Sequence, residues 1–194
     1  MLYLIFRFLL RILYTLLFRI EARGVENIPA EGPVILASNH ISNFDPPTVG
    51  IKIKRKVHFM AKEELFKIPV FGPLIDAFGA FPVKRGGVSK EAIKSAISLL
   101  KEGNVLGIFP EGSRNNQSGM AKKGAAMIAV RSGAAIVPVA IIGKYRPFGK
   151  MIVCYGKPLD ITAIIEESSP DMLDQVTDAI MTRIREIAGN NNRS

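Results

Sequence analysis

Residues 34–47 read VILASNHISNFDPP and join a short apolar run to a polar turn. The run Val34–Ser38 is too short for a typical helix and is apolar up to its last residue, which is typical of a strand buried on both faces. Continuous apolar strands of this kind belong to parallel sheets that helices cover. Further runs predict strands at Val57–Met60, Phe81–Lys84, Val105–Phe109, Ile136–Ile142 and Met151–Tyr155.

Segments with helical periodicity separate several of these strands. Ser89–Lys101 begins with a residue that can cap a helix and is followed by Gly103, which stops it. Lys122–Ser132 and Pro170–Ala188 are also predicted helices. The alternation predicts an α/β fold with a mixed, largely parallel sheet flanked by helices. We assign this fold to one domain, residues 24–194.

An unusual N-terminal stretch precedes this domain. Residues 2–20 are apolar and just long enough to span a bilayer, but they contain Arg7 and Arg11. An arginine at mid-bilayer costs about 2.5–3.5 kcal/mol, so a simple span is not expected. We predict that residues 1–23 form an amphipathic helix in the membrane interface, and a helix packed on its own domain is the alternative. A helical projection places one arc of mostly polar residues at Tyr3, Arg7, Arg11, Tyr14, Thr15 and Arg19.

The composition indicates a partner that is both anionic and apolar. Hydrophobic residues make up 48% of the 194 residues, tryptophan is absent, and the formal net charge is +9. Nucleic acid and anionic lipid both fit this charge, but only lipid also fits the hydrophobicity. No nucleic-acid motif is recognisable, so we expect membrane lipids and no nucleic acid as partners. The single cysteine, Cys154, lies in an apolar run and is predicted to be in the core, which suits a reducing compartment.

His40 and Asp45 are the candidate catalytic residues. His40 follows the strand that ends at Ser38, which is where α/β folds present functional side chains. A turn through Asn43 and the following prolines would bring the carboxylate of Asp45 to the imidazole, as a general base requires. The alternative is that Asp45 caps the helix that begins after it. Of the nearby polar residues, Ser42 is interpreted as a turn residue, and the second histidine, His58, as a packed side chain.

Three groups of cationic residues follow other predicted strands. Gly112 lets the backbone approach a ligand, and Arg114 offers a planar group suited to phosphate, with Glu111 beside them. Arg85 precedes two glycines at another strand end, and Lys62 follows a third. The alternative for residues 109–115 is an ordinary surface turn, and most cationic residues are simply solvated. Three cationic sites at three strand ends, together with the spacing of His40 and Asp45, nevertheless favour an anion-binding site over chance. The sequence contains no metal-ligand cluster and no nucleotide-binding glycine loop, so neither a metal nor a cofactor is expected.

These blocks resemble those of the glycerolipid acyltransferases. Residues 39–46, NHISNFDP, are similar to the His-x4-Asp block of that family, and residues 109–115, FPEGSRN, to its Glu-Gly-(Thr/Ser)-Arg block. Residues 82–86 resemble the intermediate basic block, and residues 136–140 the later Val-Pro block. Order and spacing also match, and the resemblance covers roughly residues 24–158.

The resemblance implies a function for each block. His40 would be the general base and Asp45 its orienting partner. The substrate phosphate would be bound by Arg114, Lys62 and Arg85, in a site shaped by Glu111 and Gly112. No enzyme nucleophile is needed, because the glycerol hydroxyl of the acceptor attacks the acyl thioester.

The implied reaction transfers a fatty acyl group to the sn-2 hydroxyl of 1-acylglycerol-3-phosphate (lysophosphatidic acid) and forms phosphatidic acid for phospholipid biosynthesis. The donor would be acyl-CoA or acyl-acyl carrier protein. We expect a peripheral or monotopic enzyme on the cytoplasmic face of the cell membrane. The alternatives are a sister acyltransferase acting on another lyso-lipid or on glycerol phosphate, a hydrolase on the same scaffold, and a non-catalytic lipid-binding protein.

Overall fold

Seven strands form one sheet in the computed structural model, which describes residues 2–83, 89–111 and 119–191. In chain order the strands are β1 (Phe18–Arg23), β2 (Val34–Ser38), β3 (Val57–Lys62), β4 (Ala80–Val83), β5 (Val105–Ile108), β6 (Ala135–Gly143) and β7 (Gly149–Tyr155). Their order across the sheet is β1-β7-β6-β2-β5-β3-β4. The prediction of a mixed, largely parallel sheet is confirmed.

Five neighbouring strands end at the same edge of this sheet. β6, β2, β5, β3 and β4 run parallel to one another, whereas β7 is antiparallel to β6 and β1 is parallel to β7. We call the edge where β2 to β6 end the carboxyl edge, and it is also where β1 and β7 begin. In α/β folds this edge holds the ligand-binding and catalytic side chains.

Helices cover both faces of the sheet and complete the predicted α/β architecture. In chain order the helices are α1 (Leu2–Leu17), α2 (Asp45–Gly50), α3 (Glu63–Phe66), α4 (Phe71–Ala77), α5 (Lys90–Lys101), α6 (Gly119–Ser132), α7 (Thr162–Glu166) and α8 (Met172–Asn191), with a short 3-10 helix at Val25–Asn27. One core cluster joins the sheet to α5, α6 and α8, for example through Leu100, Ile128 and Ile180. A second cluster on the other face includes Tyr14 of α1 and Val49 of α2.

The burial of strand β2 explains why its residues are apolar at successive positions instead of alternating between apolar and polar. Val34, Ile35, Leu36 and Ala37 all have 0% of their surface exposed. Ile35 and Ala37 belong to the first core cluster, and Val34 and Leu36 to the second. Successive side chains therefore enter opposite cores, and a polar residue on either face would lose its hydration.

The helices predicted between strands are confirmed, with small differences at their ends. Ser89 caps α5 by accepting a hydrogen bond from the Ala92 amide at 3.2 Å. The structure also contains α3, α4 and α7, which were not predicted because each is short: at most seven residues show too little periodicity to identify a helix.

The N-terminal stretch departs from the prediction. Residues 1–23 were expected to form one interfacial helix, but α1 ends at Leu17 and the chain continues as β1, paired with β7. The physical reason is a change of period, since Phe18 and Ile20 are buried while Arg19 is exposed, which is the alternation of an edge strand. Tyr14, assigned to the polar arc, is buried at 5% exposure. No helix in the described residues is both long and apolar enough to cross a membrane.

Candidate active site

A tight turn after β2 brings the predicted pair together. The turn closes where the amide of Asp45 donates to the Ser42 carbonyl at 3.1 Å, and α2 begins there. Nδ1 of His40 lies 2.7 Å from Oδ2 of Asp45. The prediction that a turn, rather than a regular helix, brings the carboxylate to the imidazole is confirmed.

The same carboxylate oxygen holds the backbone of the turn. Oδ2 of Asp45 accepts hydrogen bonds from the amides of Ile41 at 2.6 Å and Ser42 at 2.7 Å. The side chain is fully buried, and α2 has no side-chain cap. The alternative of a helix-capping role for Asp45 is therefore wrong, because its carboxylate faces back toward the turn and not toward the amides of α2.

This arrangement determines which nitrogen of His40 can act as a base. An ionised carboxylate can only accept hydrogen bonds, so Nδ1 of the neutral ring carries the proton and donates it. Nε2 then carries the lone pair. The imidazole retains 16% exposure, whereas its partner has none. His40 is thus the member of the pair that a ligand can reach.

Tyr145 completes the contacts of Asp45 and was missed by the sequence analysis. Its hydroxyl donates to Oδ1 at 2.8 Å and also lies 2.9 Å from Oγ1 of Thr48. Burial raises the pKa of Tyr145 well above its ordinary value near 10, so the phenol keeps its proton and remains a donor. Both carboxylate oxygens therefore have hydrogen-bond donors. No sequence signal identified Tyr145, because it lies in the β6–β7 loop, 100 residues away.

Aromatic rings hold the imidazole of His40 from one side. The rings of His40 and Phe109 stack with centroids 4.2 Å apart and planes inclined by 20°. Phe59 stacks on Phe109 in turn, at 6.0 Å and 18°. Gly107 makes room for this stack, since a Cβ there would lie 2.1 Å from the Phe59 ring. A side chain at position 107 would displace the Phe59 ring, so glycine in β5 accommodates the stack.

A further contact holds the end of β2 against its neighbour. The Asn39 side chain donates to the carbonyl of Ile141 at 3.0 Å and accepts from the amide of the same residue at 2.8 Å. The amide group imitates a strand backbone and extends the pairing of β2 with β6 by one residue. The residue before His40 is thus immobilised, which the sequence did not reveal.

The predicted phosphate-site residues have different outcomes. Lys62 is the last residue of β3 and is exposed at the carboxyl edge. Because β5 lies between β2 and β3, the ends of those two strands are roughly 10 Å apart. Glu111 is half-buried, three residues beyond the end of β5. Arg85, Gly112 and Arg114 lie outside the described residues.

The remaining polar candidates have the structural roles that were predicted. Oγ of Ser42 accepts from the amide of Phe44 at 3.2 Å, as a turn residue does. Nδ1 of His58 lies 2.9 Å from the Gly79 carbonyl, and burial lowers the pKa of this histidine. Cys154 is buried, and burial raises the pKa of its thiol. Within the described ranges, no cluster of histidine, cysteine and carboxylate side chains could hold a metal ion.

Comparison with known proteins identifies the family. A family model described as acyltransferase matches residues 19–142, which contain both members of the His40–Asp45 pair. The chain belongs to the acyltransferase family. This acyltransferase matches the family model well beyond the turn that holds His40 and Asp45, since the matched segment runs from β1 to β6.

Named relatives extend the similarity to most of the chain. The acyltransferase is 34% identical over 184 residues to the 1-acyl-sn-glycerol-3-phosphate acyltransferase of Bacillus subtilis (strain 168), covering 92% of each protein. It is also 34% identical over 160 residues to the enzyme of that name from Streptococcus pneumoniae, covering 79% of this chain and 60% of that one.

A solved structure supports the fold. The crystal structure of the 1-acyl-sn-glycerophosphate acyltransferase PlsC from Thermotoga maritima matches with a TM-score of 0.63 and 26% identity, over 87% of this chain and 72% of that chain. The mixed α/β sheet flanked by helices is therefore shared with a member of the same family.

Proposed function

We propose that this acyltransferase moves a fatty acyl group from a thioester to the sn-2 hydroxyl of 1-acylglycerol-3-phosphate, which yields phosphatidic acid. The names of the relatives support this acceptor. The single observation that carries the chemistry is the 2.7 Å contact between His40 and the buried carboxylate of Asp45, at the edge of the sheet where ligands bind.

In the proposed mechanism His40 is the general base. Nε2 removes the proton of the acceptor hydroxyl as its oxygen attacks the thioester carbonyl. The carboxylate of Asp45 stabilises the imidazolium that forms, and the imidazolium then returns the proton to the departing thiolate. A positioned base of this kind contributes about 10²–10⁴-fold to the rate. The acceptor supplies the nucleophile, which agrees with the turn role of Ser42.

The acceptor's phosphate gives the proposed substrate its orientation. We assign its binding to Lys62, Arg85 and Arg114, with Glu111 and Gly112 shaping the site. Lys62 supports this assignment because it is exposed at the carboxyl edge, two strands from β2. A phosphate held there would keep the hydroxyl in place for attack, which lowers the entropic cost of the reaction.

The proposed donor is acyl-CoA or an acyl-acyl carrier protein, since both present a thioester on phosphopantetheine. The net charge of +9 would attract either one.

We further propose that the enzyme is peripheral or monotopic on the cytoplasmic face of the cell membrane, with α1 (Leu2–Leu17) as its membrane-contacting segment and the chain from β1 onward as the catalytic domain. The described part of α1 supports this, because large apolar side chains remain exposed and are not packed on the domain. These side chains are Phe8, Leu9, Ile12, Leu13, Leu16 and Leu17. Burying such a face in lipid is favourable.

The test is an acyl-transfer assay with purified protein, lysophosphatidic acid and each of the two thioester donors. His40→Ala should abolish phosphatidic acid formation while the protein stays folded. The matched control is His58→Ala, which removes the other histidine and should retain turnover. Equal activity of wild type and His40→Ala would refute the assigned base. If a folded wild type forms no product with either donor, the acceptor assignment fails, and other lyso-lipids or glycerol phosphate should then be tried.

A further inference from the structure

The exposed apolar residues of the protein are not scattered. Among the side chains that the structure describes, every large apolar one that is exposed belongs to α1, to a loop at the carboxyl edge or to the first residue of α4. The loop residues are Ile41, Phe44, Ile68, Val70 and Phe148, and the α4 residue is Phe71. Single exposed apolar residues are ordinary on protein surfaces, but their confinement to one region marks an interaction surface.

The apolar tip, which we define as Ile68–Phe71, is the part of this surface that α1 does not explain. It has the sequence Ile-Pro-Val-Phe, lies between α3 and α4, and includes Phe71 as the first residue of α4. Ile68 is 45% exposed, Val70 83% and Phe71 42%. The tip contains no charged residue, and Val70 is more exposed than any other large apolar residue whose side chain the structure describes.

Topology places the apolar tip at the carboxyl edge. α3 begins at Glu63, directly after the last residue of β3, and α4 carries the chain back toward the start of β4 beside His58. The turn between the two helices therefore lies on the side from which β3 leaves the sheet. His40 follows β2 at the same edge, two strands away.

The backbone at Val70 has a strained conformation, and the Val70 side chain is exposed. Val70 has φ 66° and ψ −47°, and the amide of Phe71 donates to the Pro69 carbonyl at 2.7 Å, which together form a γ-turn of the rare, strained kind. A β-branched residue at positive φ is a genuine outlier. Gly72 supports the turn by close packing, since a Cβ there would lie 2.1 Å from the Phe66 carbonyl. The strained residue, Val70, leaves most of its side chain in solvent, which suggests a role outside the protein.

Phe148 repeats this combination near α1. It is 75% exposed and also has positive φ, 61°, and its amide donates to the carbonyl of Leu17 at 2.7 Å. Val70 and Phe148, the two most exposed large apolar residues among the described side chains, are thus both held at strained backbone positions, one beyond β3 and one beside β1. β1 and β4 are the outer strands of the seven, so these features are separated by up to about 29 Å, at six spacings of about 4.8 Å.

We propose that the apolar tip is a second membrane-contact site that inserts its side chains among the acyl chains of an anionic bilayer, while α1 makes the first contact. The two contacts lie on either side of His40 and orient the carboxyl edge toward the lipid. This inference rests on the proposed function only in that a lipid acceptor has to reach that edge from a membrane.

A protein partner fits the tip less well than a bilayer. A stable protein interface uses about 20–30 residues from each side, whereas the tip offers three exposed apolar side chains. Shallow insertion of a few side chains is sufficient for an interfacial contact. The exposed cations beside the tip, Lys62 and Lys67, suit anionic headgroups, although Lys67 also lies 3.7 Å from Glu63.

The absence of tryptophan from the chain allows a direct test. Phe71→Trp and Val70→Trp each place a single fluorophore in the tip. Phe71→Trp does so without changing Val70, the residue whose backbone is strained. The control is Lys101→Trp, an exposed position just before the start of β5, at the opposite edge. Each protein is mixed with equimolar phosphatidylcholine–phosphatidylglycerol vesicles, with and without brominated acyl chains.

We expect vesicles to shift the emission of the tip tryptophans to shorter wavelength and brominated chains to quench it, with neither effect at position 101. Val70→Asp should weaken vesicle affinity about tenfold or more, since the burial of one apolar side chain is lost and a charge is introduced. Val70→Gly relieves the strained backbone and should weaken binding without loss of stability. Turnover of a monomeric short-chain acceptor should be unchanged in both.

Two results would overturn this proposal. One is that the emission spectrum of the tip tryptophan, in either variant, does not change when vesicles are added. The other is a shift that appears with rising protein concentration in the absence of lipid, which would make a second copy of the chain the occupant. Because fluorescence needs no turnover, insertion of the tip by a protein that fails to acylate lysophosphatidic acid would refute the proposed function alone, and active protein with an unresponsive tip would refute this inference alone.

Discussion

Replacing Asp45 with asparagine isolates the charge of the carboxylate that we propose orients His40. In the wild type Oδ2 accepts from His40 and from two backbone amides of the turn. The asparagine oxygen should occupy this position, because an amide nitrogen there would face three donors. Its nitrogen would then donate to the Tyr145 hydroxyl, whose own hydrogen can turn to Thr48 Oγ1, 2.9 Å away. The histidine tautomer is kept and only the negative charge is lost.

The expected loss of activity follows from this geometry. Hydrogen bonds to charged groups contribute about 1.5–3 kcal/mol, and the imidazolium formed in the transition state would lose this assistance. At about 1.36 kcal/mol per factor of ten, kcat/KM should fall about 10- to 150-fold. Stability should fall by only about 1–2 kcal/mol, because every donor around the side chain keeps an acceptor.

Initial rates of thiol release and urea unfolding of the same preparations measure both quantities. Asp45→Ala is the comparison, because it leaves the three donors on Oδ2 without this acceptor at about 1–3 kcal/mol each and should unfold the turn, whereas the Tyr145 hydroxyl can still donate to Thr48. Wild-type kcat/KM in folded Asp45→Asn would show that the charge does not support catalysis. An asparagine variant as unstable as the alanine variant would show that the described amide orientation is incorrect.

Four further predictions concern residues around the site and in the core. Tyr145→Phe removes one donor to the carboxylate and should cost about 0.5–1.5 kcal/mol of stability in urea, with at most about a tenfold loss of kcat/KM, and an unchanged midpoint would contradict the hydrogen bond. Gly107→Ala forces a methyl group against the Phe59 ring and should cost about 1–3 kcal/mol in thermal unfolding together with activity, whereas full activity would mean that the aromatic stack does not position the imidazole. Burial lowers the pKa of His58, so as the pH falls the unfolded chain binds this proton before the folded protein does, and the free energy of unfolding decreases below about pH 6.5. In urea titrations His58→Gln should reduce the slope of unfolding free energy against pH by at most about 1.36 kcal/mol per pH unit. An identical slope in the variant would contradict this prediction. Cys154 should react with a thiol reagent only as fast as the protein opens, because its thiol is buried and its pKa is raised, and immediate labelling of the native protein would refute its core position.

The local sequence pattern predicted most of the fold, because burial of both faces of a sheet strongly restricts which residues its strands can contain. A strand such as β2 has to be apolar at every position, and α5 carries its own capping serine. The N-terminal boundary was wrong because Phe18–Arg23 pairs with β7, more than 120 residues away along the chain. The apolar pattern continues from α1 into β1. Because β1 is a strand only through its pairing with a distant partner, this pattern does not reveal where the helix ends.

For the site, local sequence is enough to specify the turn that joins His40 to Asp45, since both residues and the prolines that follow lie within a few positions. The side chains that surround the pair depend on how the whole chain folds. Tyr145 reaches the carboxylate from the β6–β7 loop, and Phe109 reaches the imidazole from the end of β5. The sequence around each of these two aromatic residues does not indicate a contact with His40 or Asp45. The contacts form only when the strands bring their ends together at one edge of the sheet. The pair is thus encoded locally, whereas the burial and stacking that orient it depend on residues brought together by the fold.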